Sequence, residues 1–179
     1  MSKSRIIGGS FLLIAVLLLA ACCSTCNPNP PTKPQPPTPC QLAYNKLQWL
    51  GVNVIQTGDN IKMILPADHF FAPKSTALKP ISYLSLDQVA VVLQCYKKVD
   101  VKIAGYTDSC GDPVVNRSLS EQQAKKIADY LWHRGIDTRI LFPFGYGASN
   151  PIASNATQNG QAQNRRIEIT FTKITYPML

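Results

Sequence analysis

Asp108, Ser120 and Gln123 are the residues whose types and spacing could do chemistry together. Asp108 follows an alternating run at 99–106 that reads as a strand, and a loop containing Gly111 and Pro113 comes next. A carboxylate at a strand end, just before a loop, stands where a ligand can reach it. Ser120 is a natural helix N-cap, and Gln123 three positions later completes a capping box ahead of the apolar stripe Ala124, Ile127, Ala128 and Leu131. Such a helix start offers unpaired backbone N–H groups and the positive end of the helix dipole, which suit an anion. Side by side, strand end and helix start would make a pocket of two signs. The acid would take an ammonium and the helix start a carboxylate. The plainer alternative is that Asp108 only caps its own loop. Glu121 at the same helix start helps the helix and works against an anion.

The parts of a catalytic site are missing. His69 and His133 are the only imidazoles, and His133 falls at a helix end, where a surface histidine favours the dipole without further duty. No serine lies in a Gly-x-Ser-x-Gly elbow. Gly145-Tyr146-Gly147 lacks the third glycine of a dinucleotide loop, since Asn150 stands there. Cys22, Cys23 and Cys26 have the spacing of half a zinc site, but no matching Cys or His pair follows. The expectation is a binding protein, not an enzyme, with no metal and no cofactor.

Hydrophobic periodicity gives the elements that must position Asp108 and its neighbours. Residues 41–50 read as a short helix with Leu42, Leu47 and Leu50 apolar and Gly51 closing it. Residues 52–55 and 61–65 read as strands around a Gly58-Asp59-Asn60 turn. A loop with Pro66, Pro73 and Pro80 leads to a helix at about 81–97, with Leu86, Val89, Ala90 and Leu93 on one face. After the strand at 99–106 and a loop at 107–117, a helix covers about 121–134 and stops at Gly135. A strand follows at 139–145, then a polar loop at 147–163. Residues 166–172 alternate Ile167, Ile169 and Phe171 against Arg166, Glu168 and Thr170, a half-buried strand. The expected class is α/β (α+β): a β-α-β-α-β-β sandwich with helices packed on one face of a mixed sheet.

The chain begins with Lys3 and Arg5, then an apolar run at 11–21 that falls short of the roughly 20 residues a span needs. It ends in Leu19-Ala20-Ala21-Cys22, which resembles a bacterial lipobox. That resemblance implies export, cleavage before Cys22 and acylation of Cys22, with fatty chains such as palmitate. Two or three chains anchor stably, at about 0.8 kcal/mol per buried methylene. Cys23, in place of an aspartate, favours the outer membrane by resemblance to the known sorting rule. The expected organisation is a signal peptide at 1–21, a lipidated Pro-rich linker at 22–39 and one domain at 40–179, its core at about 62–173. Seven prolines between Pro28 and Pro39 keep the linker extended. Twelve such residues reach roughly 37 Å, so the domain would face the periplasm some distance from the membrane.

The formal charge is +8, and Lys3 and Arg5 supply two of those charges within the leader. The rest is spread thinly, with no run of Lys and Arg, which argues against nucleic acid as a partner. Six cysteines are present and Cys22 would be taken by lipid. The other five, Cys23, Cys26, Cys40, Cys95 and Cys110, allow one disulfide or two in an oxidising compartment. Cys95 and Cys110 flank a strand of eight residues, roughly 26 Å long at ~3.3 Å each. A disulfide spans about 4.4–6.8 Å between Cα atoms. Cys95 therefore pairs, if it pairs, with Cys40.

Four motifs in order complete the reading: Ala104-Gly105-Tyr106-Thr107-Asp108, Asn116-Arg117-Ser118-Leu119-Ser120, Gly145-Tyr146-Gly147, and Asn164-Arg165-Arg166-Ile167-Glu168-Ile169. They resemble the OmpA-like peptidoglycan-binding family. The resemblance implies that family's C-terminal domain fold. It also implies the diaminopimelate of a peptidoglycan stem peptide as ligand, a zwitterion at its free end. The binding residues it implies are Thr107, Asp108, Asn116, Leu119, Gln123, Arg165 and Arg166. The implied role is non-covalent tethering of the outer membrane, or of a secretion complex, to the cell wall.

One departure bears on the ligand. Gln123, in Leu119-Ser120-Glu121-Gln122-Gln123-Ala124, stands where the family carries an arginine that grips the ligand carboxylate. A charge-assisted contact is roughly twice as strong as a neutral one, so ~1–2 kcal/mol, or about tenfold in affinity, is at stake. Arg117, Arg165 or Arg166 could supply the cation instead. The strand-end histidine of the family is also replaced, by Tyr106. Within the family, Gly51-Val52-Asn53-Val54-Ile55, Leu65-Pro66-Ala67-Asp68 and Phe71 resemble the lipoproteins of Dot/Icm type IV secretion systems. This implies core-complex proteins as partners, and as the alternative role a structural accessory whose peptidoglycan pocket is weakened or lost.

Overall fold

A computed structural model describes residues 37–98 and 100–174 of the chain. The expected signal peptide, Cys22 and nearly all of the linker lie outside the described residues. Helix α1, Pro39–Trp49, is the first described element, with the Thr38 side chain accepting from Gln41 N–H and Pro39 in the first turn. Strands β1 (Asn53–Thr57) and β2 (Asn60–Pro66) form a hairpin around the expected turn. A one-turn helix α2 (Ala67–Phe70) and helix α3 (Ser82–Gln94) precede β3 (Val101–Tyr106). Helix α4 (Pro113–His133) leads through a 3-10 turn to β4 (Leu141–Gly145). Helix α5 (Gln158–Asn164) and strand β5 (Arg166–Thr172) complete the domain.

The five strands lie in the order β1-β2-β5-β3-β4. Strand β5 is central and antiparallel to both β2 and β3, while β3 and β4 are parallel. A parallel pair needs a long crossover, and the 21 residues of α4 supply it. The expected mixed α+β sandwich is the observed fold. Ile61, Met63 and Leu65 of β2, Val101 and Ile103 of β3, and Ile167, Ile169 and Phe171 of β5 bury one face of the sheet. Leu86, Val89 and Leu93 of α3 and Ile127 and Leu131 of α4 join them in one core. Full burial of each such Leu or Ile contributes about 1.5–3 kcal/mol. Cys40 of α1 is bonded to Cys95 just past α3, with Cα atoms 6.0 Å apart, the partner the strand length left to Cys95, and among the described residues Cys110 is free and exposed.

Three elements differ from the sequence reading, the first being the single turn of α2 inside the segment read as a proline-bearing loop. Helix α4 starts at Pro113, not near Glu121: Asp112 is its N-cap and Pro113 its first residue. Val114, Val115 and Asn116 are poor helix formers and looked like loop, but a capped proline start outweighs that weak preference. Residues 158–163, read as the end of a loop, form α5 together with Asn164, with the Thr157 side chain accepting from Gly160 N–H. Gly, Asn and Gln hid that short helix, which rests on its cap and on burial of Gly160 and Asn164.

Gly105 and Gly145 face each other across β3 and β4 and set how close α4 comes. A Cβ on Gly105 would stand 2.1 Å from Ser120 O, and one on Gly145 2.5 Å from Glu121 N. Only bare backbone lets the middle of α4 rest on these strand ends. Ser120 is not a cap: its Oγ donates to Arg117 O at 2.8 Å and accepts from Gly147 N–H at 2.9 Å. It pins α4 to the turn after β4, and Thr107 N–H donates to Gly147 O on the same turn.

Candidate functional site

The close seating of α4 on β3 brings Asn116, Leu119 and Gln123 beside the end of β3, where Thr107 and Asp108 begin the next loop. Together with Arg165 and the segment 67–79 they line a cavity of about 520 Å³, within the range of small-ligand sites. Six of the seven binding residues expected from the sequence therefore meet in one place. Arg166 is the exception. Alternation along β5 turns it to the outer sheet face, where it is 3 % exposed, bonds Glu168 at 2.8 Å and lies over the Tyr106 ring at 3.9 Å. Arg117 also lies outside the cavity lining.

Asp108 is more enclosed than a strand-end carboxylate was expected to be, with its side chain 13 % exposed. Its Oδ1 accepts from Cys110 N–H at 2.9 Å and its Oδ2 from Arg165 at 2.5 Å. Burial works to raise its pKa, but the hydrogen bonds from Arg165 and Cys110 outweigh it and hold the carboxyl below the ordinary value. Arg165 is itself clamped. Its Nε and Nη2 hold both oxygens of Asp68 at 2.6–3.1 Å, and that pairing, followed by Asp108, raises its pKa further. Asn164, fully buried, holds the loop before α5 by accepting from Ile152 and Ala153 N–H, so Arg165 leaves α5 aimed at the cavity.

The anion site expected at a helix start is already filled. Asp112 Oδ1 accepts from Val114 and Val115 N–H at 2.7 and 3.1 Å, so the first turn of α4 is capped by the chain's own carboxylate. Gln123, 6 % exposed, spends an amide N–H on Ser75 O at 2.9 Å. Asn116 donates to Cys110 O at 2.9 Å and shapes the loop, as does Thr107 Oγ1, which donates to Asp108 O. Sequence reasoning missed Asp68, Lys74 and Lys79, which also line the cavity. Asp68 lies in Leu65-Pro66-Ala67-Asp68, two residues past the end of β2. That position resembles that of Asp108 and was the available signal.

Asp108 has a pH consequence whose sign is fixed, and so does Glu168, whose burial is likewise outweighed by hydrogen bonds from Lys62 and Arg166. A carboxyl held low in the folded state adds stability above its unfolded value, about 3.9–4.3, and loses it as pH falls through the folded value. The melting temperature should hold steady from about pH 8 to 5 on account of these groups and drop below about pH 4. Glu168→Gln should flatten that drop. A melting temperature that rises on acidification below pH 4 would contradict the assignment.

A five-stranded mixed sheet with helices on one face, and a cavity of mixed charge at the end of β3, define an OmpA-like domain. The chain belongs to the OmpA family, whose profile matches residues 70–165. It is 42% identical over 130 residues to the probable lipoprotein YiaD of Escherichia coli (strain K12), covering 73% of this chain and 59% of that one. It is 44% identical over 99 residues to the peptidoglycan-binding protein ArfA of Mycobacterium tuberculosis (strain ATCC 25618 / H37Rv), covering 55% of this chain and 30% of that one. The chain thus spans less than two thirds of the length of these relatives. Among solved structures, the cell wall anchor of the T6SS from Pseudomonas aeruginosa superposes with a TM-score of 0.69 at 25% identity, covering 78% of this chain and 100% of that one. A periplasmic domain of MotB from Helicobacter pylori gives 0.61 at 25% identity, covering 70% and 81%.

Proposed function

We propose that the cavity binds the zwitterionic end of a peptidoglycan stem peptide, its diaminopimelate, and that Cys22 carries the lipid that ties the domain to the outer membrane. The observation that carries the reading is Asp108, an ionised carboxylate with little exposure, in a cavity that lysines also line. A carboxylate offers about four acceptor positions, and on Asp108 the chain uses three, for Cys110 N–H, the Cys110 side chain and Arg165. The remaining one can take a ligand ammonium. The relative named for peptidoglycan binding and the structure described as a cell wall anchor support the same reading. Thr107, Asn116 and Leu119 would shape the cavity, and Arg165 would hold Asp108 in place.

A second reading is a structural accessory of an outer-membrane secretion complex with a weakened pocket. The pairing of Asp108 with Arg165 favours it, since a ligand must compete with a partner already there. One experiment separates the two readings. Wild type and Cys22→Ser, each as the full chain, are sedimented with purified sacculi and fractionated from cells. The tether reading expects both to sediment with sacculi, and only wild type to fractionate with the outer membrane. Failure of both to sediment would favour the accessory role. Retention of Cys22→Ser in the membrane after solubilisation of partner complexes would remove the lipid anchor.

A further inference from the structure

We propose that Lys74 and Lys79 form a carboxylate subsite on the cavity; this deepens the stem-peptide reading and rests on it. Three cations line the cavity: Lys74, Lys79 and Arg165. Arg165 is spent on Asp68 and Asp108. Lys79 donates to the Asp68 backbone carbonyl at 2.6 Å, a contact that leaves its charge without a counter-charge and two of its donors free. Lys74 is exposed, and among the described residues it has no hydrogen bond or ion pair. The two uncommitted positive charges of the cavity thus come from one segment, separate from the loop that carries Asp108.

The backbone singles out Lys74. It has φ +51° in a turn from Ala72 to Ser75, closed by Ser75 N–H to Ala72 O at 3.1 Å, with Pro73 before it. Proline followed by a residue at positive φ is the pattern of a type II turn, and glycine is the residue that suits the second place. A long side chain there strains the backbone, and the same turn would form more easily without it. The segment is also held against α4. Gln123 donates to Ser75 O, Ala77 N–H donates to Ser75 Oγ, and Ala72 N–H donates to Ala77 O. Gln123 therefore acts as a positioning residue: it fastens the turn that presents the lysine. A ligand whose ammonium meets Asp108 and whose carboxylate meets Lys74 and Lys79 is an amino-acid head group, the chemistry at the free end of a diaminopimelate stem peptide.

The test measures binding of the full chain in detergent to two probes: a diaminopimelate-containing stem tripeptide, and the same peptide with that carboxylate amidated. Lys74→Gly should bind the carboxylate peptide about tenfold more weakly than wild type, with a melting temperature unchanged or higher. For the amidated peptide, wild type and Lys74→Gly should bind alike. Lys79→Gln should show the same selective loss. Higher salt should shrink the difference, because Lys74 is exposed. Equal binding of the carboxylate peptide by wild type and both variants overturns the subsite and leaves the stem-peptide reading standing. Binding of neither peptide by wild type overturns both.

Discussion

Asp108→Asn should lower affinity for sacculi by about a hundredfold or more. The substitution keeps the size and one acceptor oxygen but removes the charge that, in the proposed function, meets the ligand ammonium. A charge-assisted hydrogen bond contributes about 1.5–3 kcal/mol, and truncating one member of an enclosed charge pair at an interface costs about 2–5 kcal/mol. Each 1.4 kcal/mol is tenfold. Arg165 would remain held by Asp68, so the wall of the cavity should survive. Co-sedimentation over a range of sacculus concentrations measures the loss, and circular dichroism checks that the fold is kept. A variant that binds within threefold of wild type would show that Asp108 only organises its loop.

Removing the disulfide should have the largest effect on stability and almost none on binding. Cys40 and Cys95 are 55 residues apart and tie α1 to the end of α3. In the chain-entropy view a loop of that length contributes about 4 kcal/mol by restricting the unfolded chain. Neither cysteine lines the cavity. Cys40→Ser with Cys95→Ser should therefore shift the urea midpoint strongly downward, while affinity at temperatures where the domain stays folded is unchanged. Loss of less than about 1 kcal/mol would show that α1 is held by packing alone, through Ala43 and Leu47 in the core.

The sheet was legible because its strands alternate. Ile167, Ile169 and Phe171 share one parity in β5 and all are buried on the helix-covered face. The same alternation assigned Arg166, with Glu168, to the other face, and it could have excluded Arg166 from the site. Of the residues taken from the family motifs, Thr107, Asp108, Asn116, Leu119, Gln123 and Arg165 line one cavity. What stayed hidden were contacts between distant segments. Gln123 bonds Ser75, 48 residues away, and Arg165 clamps Asp68, 97 residues away. No local pattern encodes such pairs. The start of α4 was hidden for a different reason: two rules conflicted. A capping box at Ser120 and a proline start at Pro113 both mark a helix start, and the structure uses the earlier one. That choice replaced the expected backbone anion site with Asp112, so lysines are left to supply the positive charge.

The most direct measurement is an NMR titration of the isotopically labelled full chain in detergent with the diaminopimelate stem tripeptide, following backbone amide shifts. Saturable shifts should concentrate at 107–116 and 72–79, with Cys110 among them because its N–H bonds Asp108. Lys102, Phe142 and Phe144 share the outer sheet face and should stay still. Absence of saturable shifts, or shifts confined to that outer face, would contradict a stem-peptide site at the end of β3.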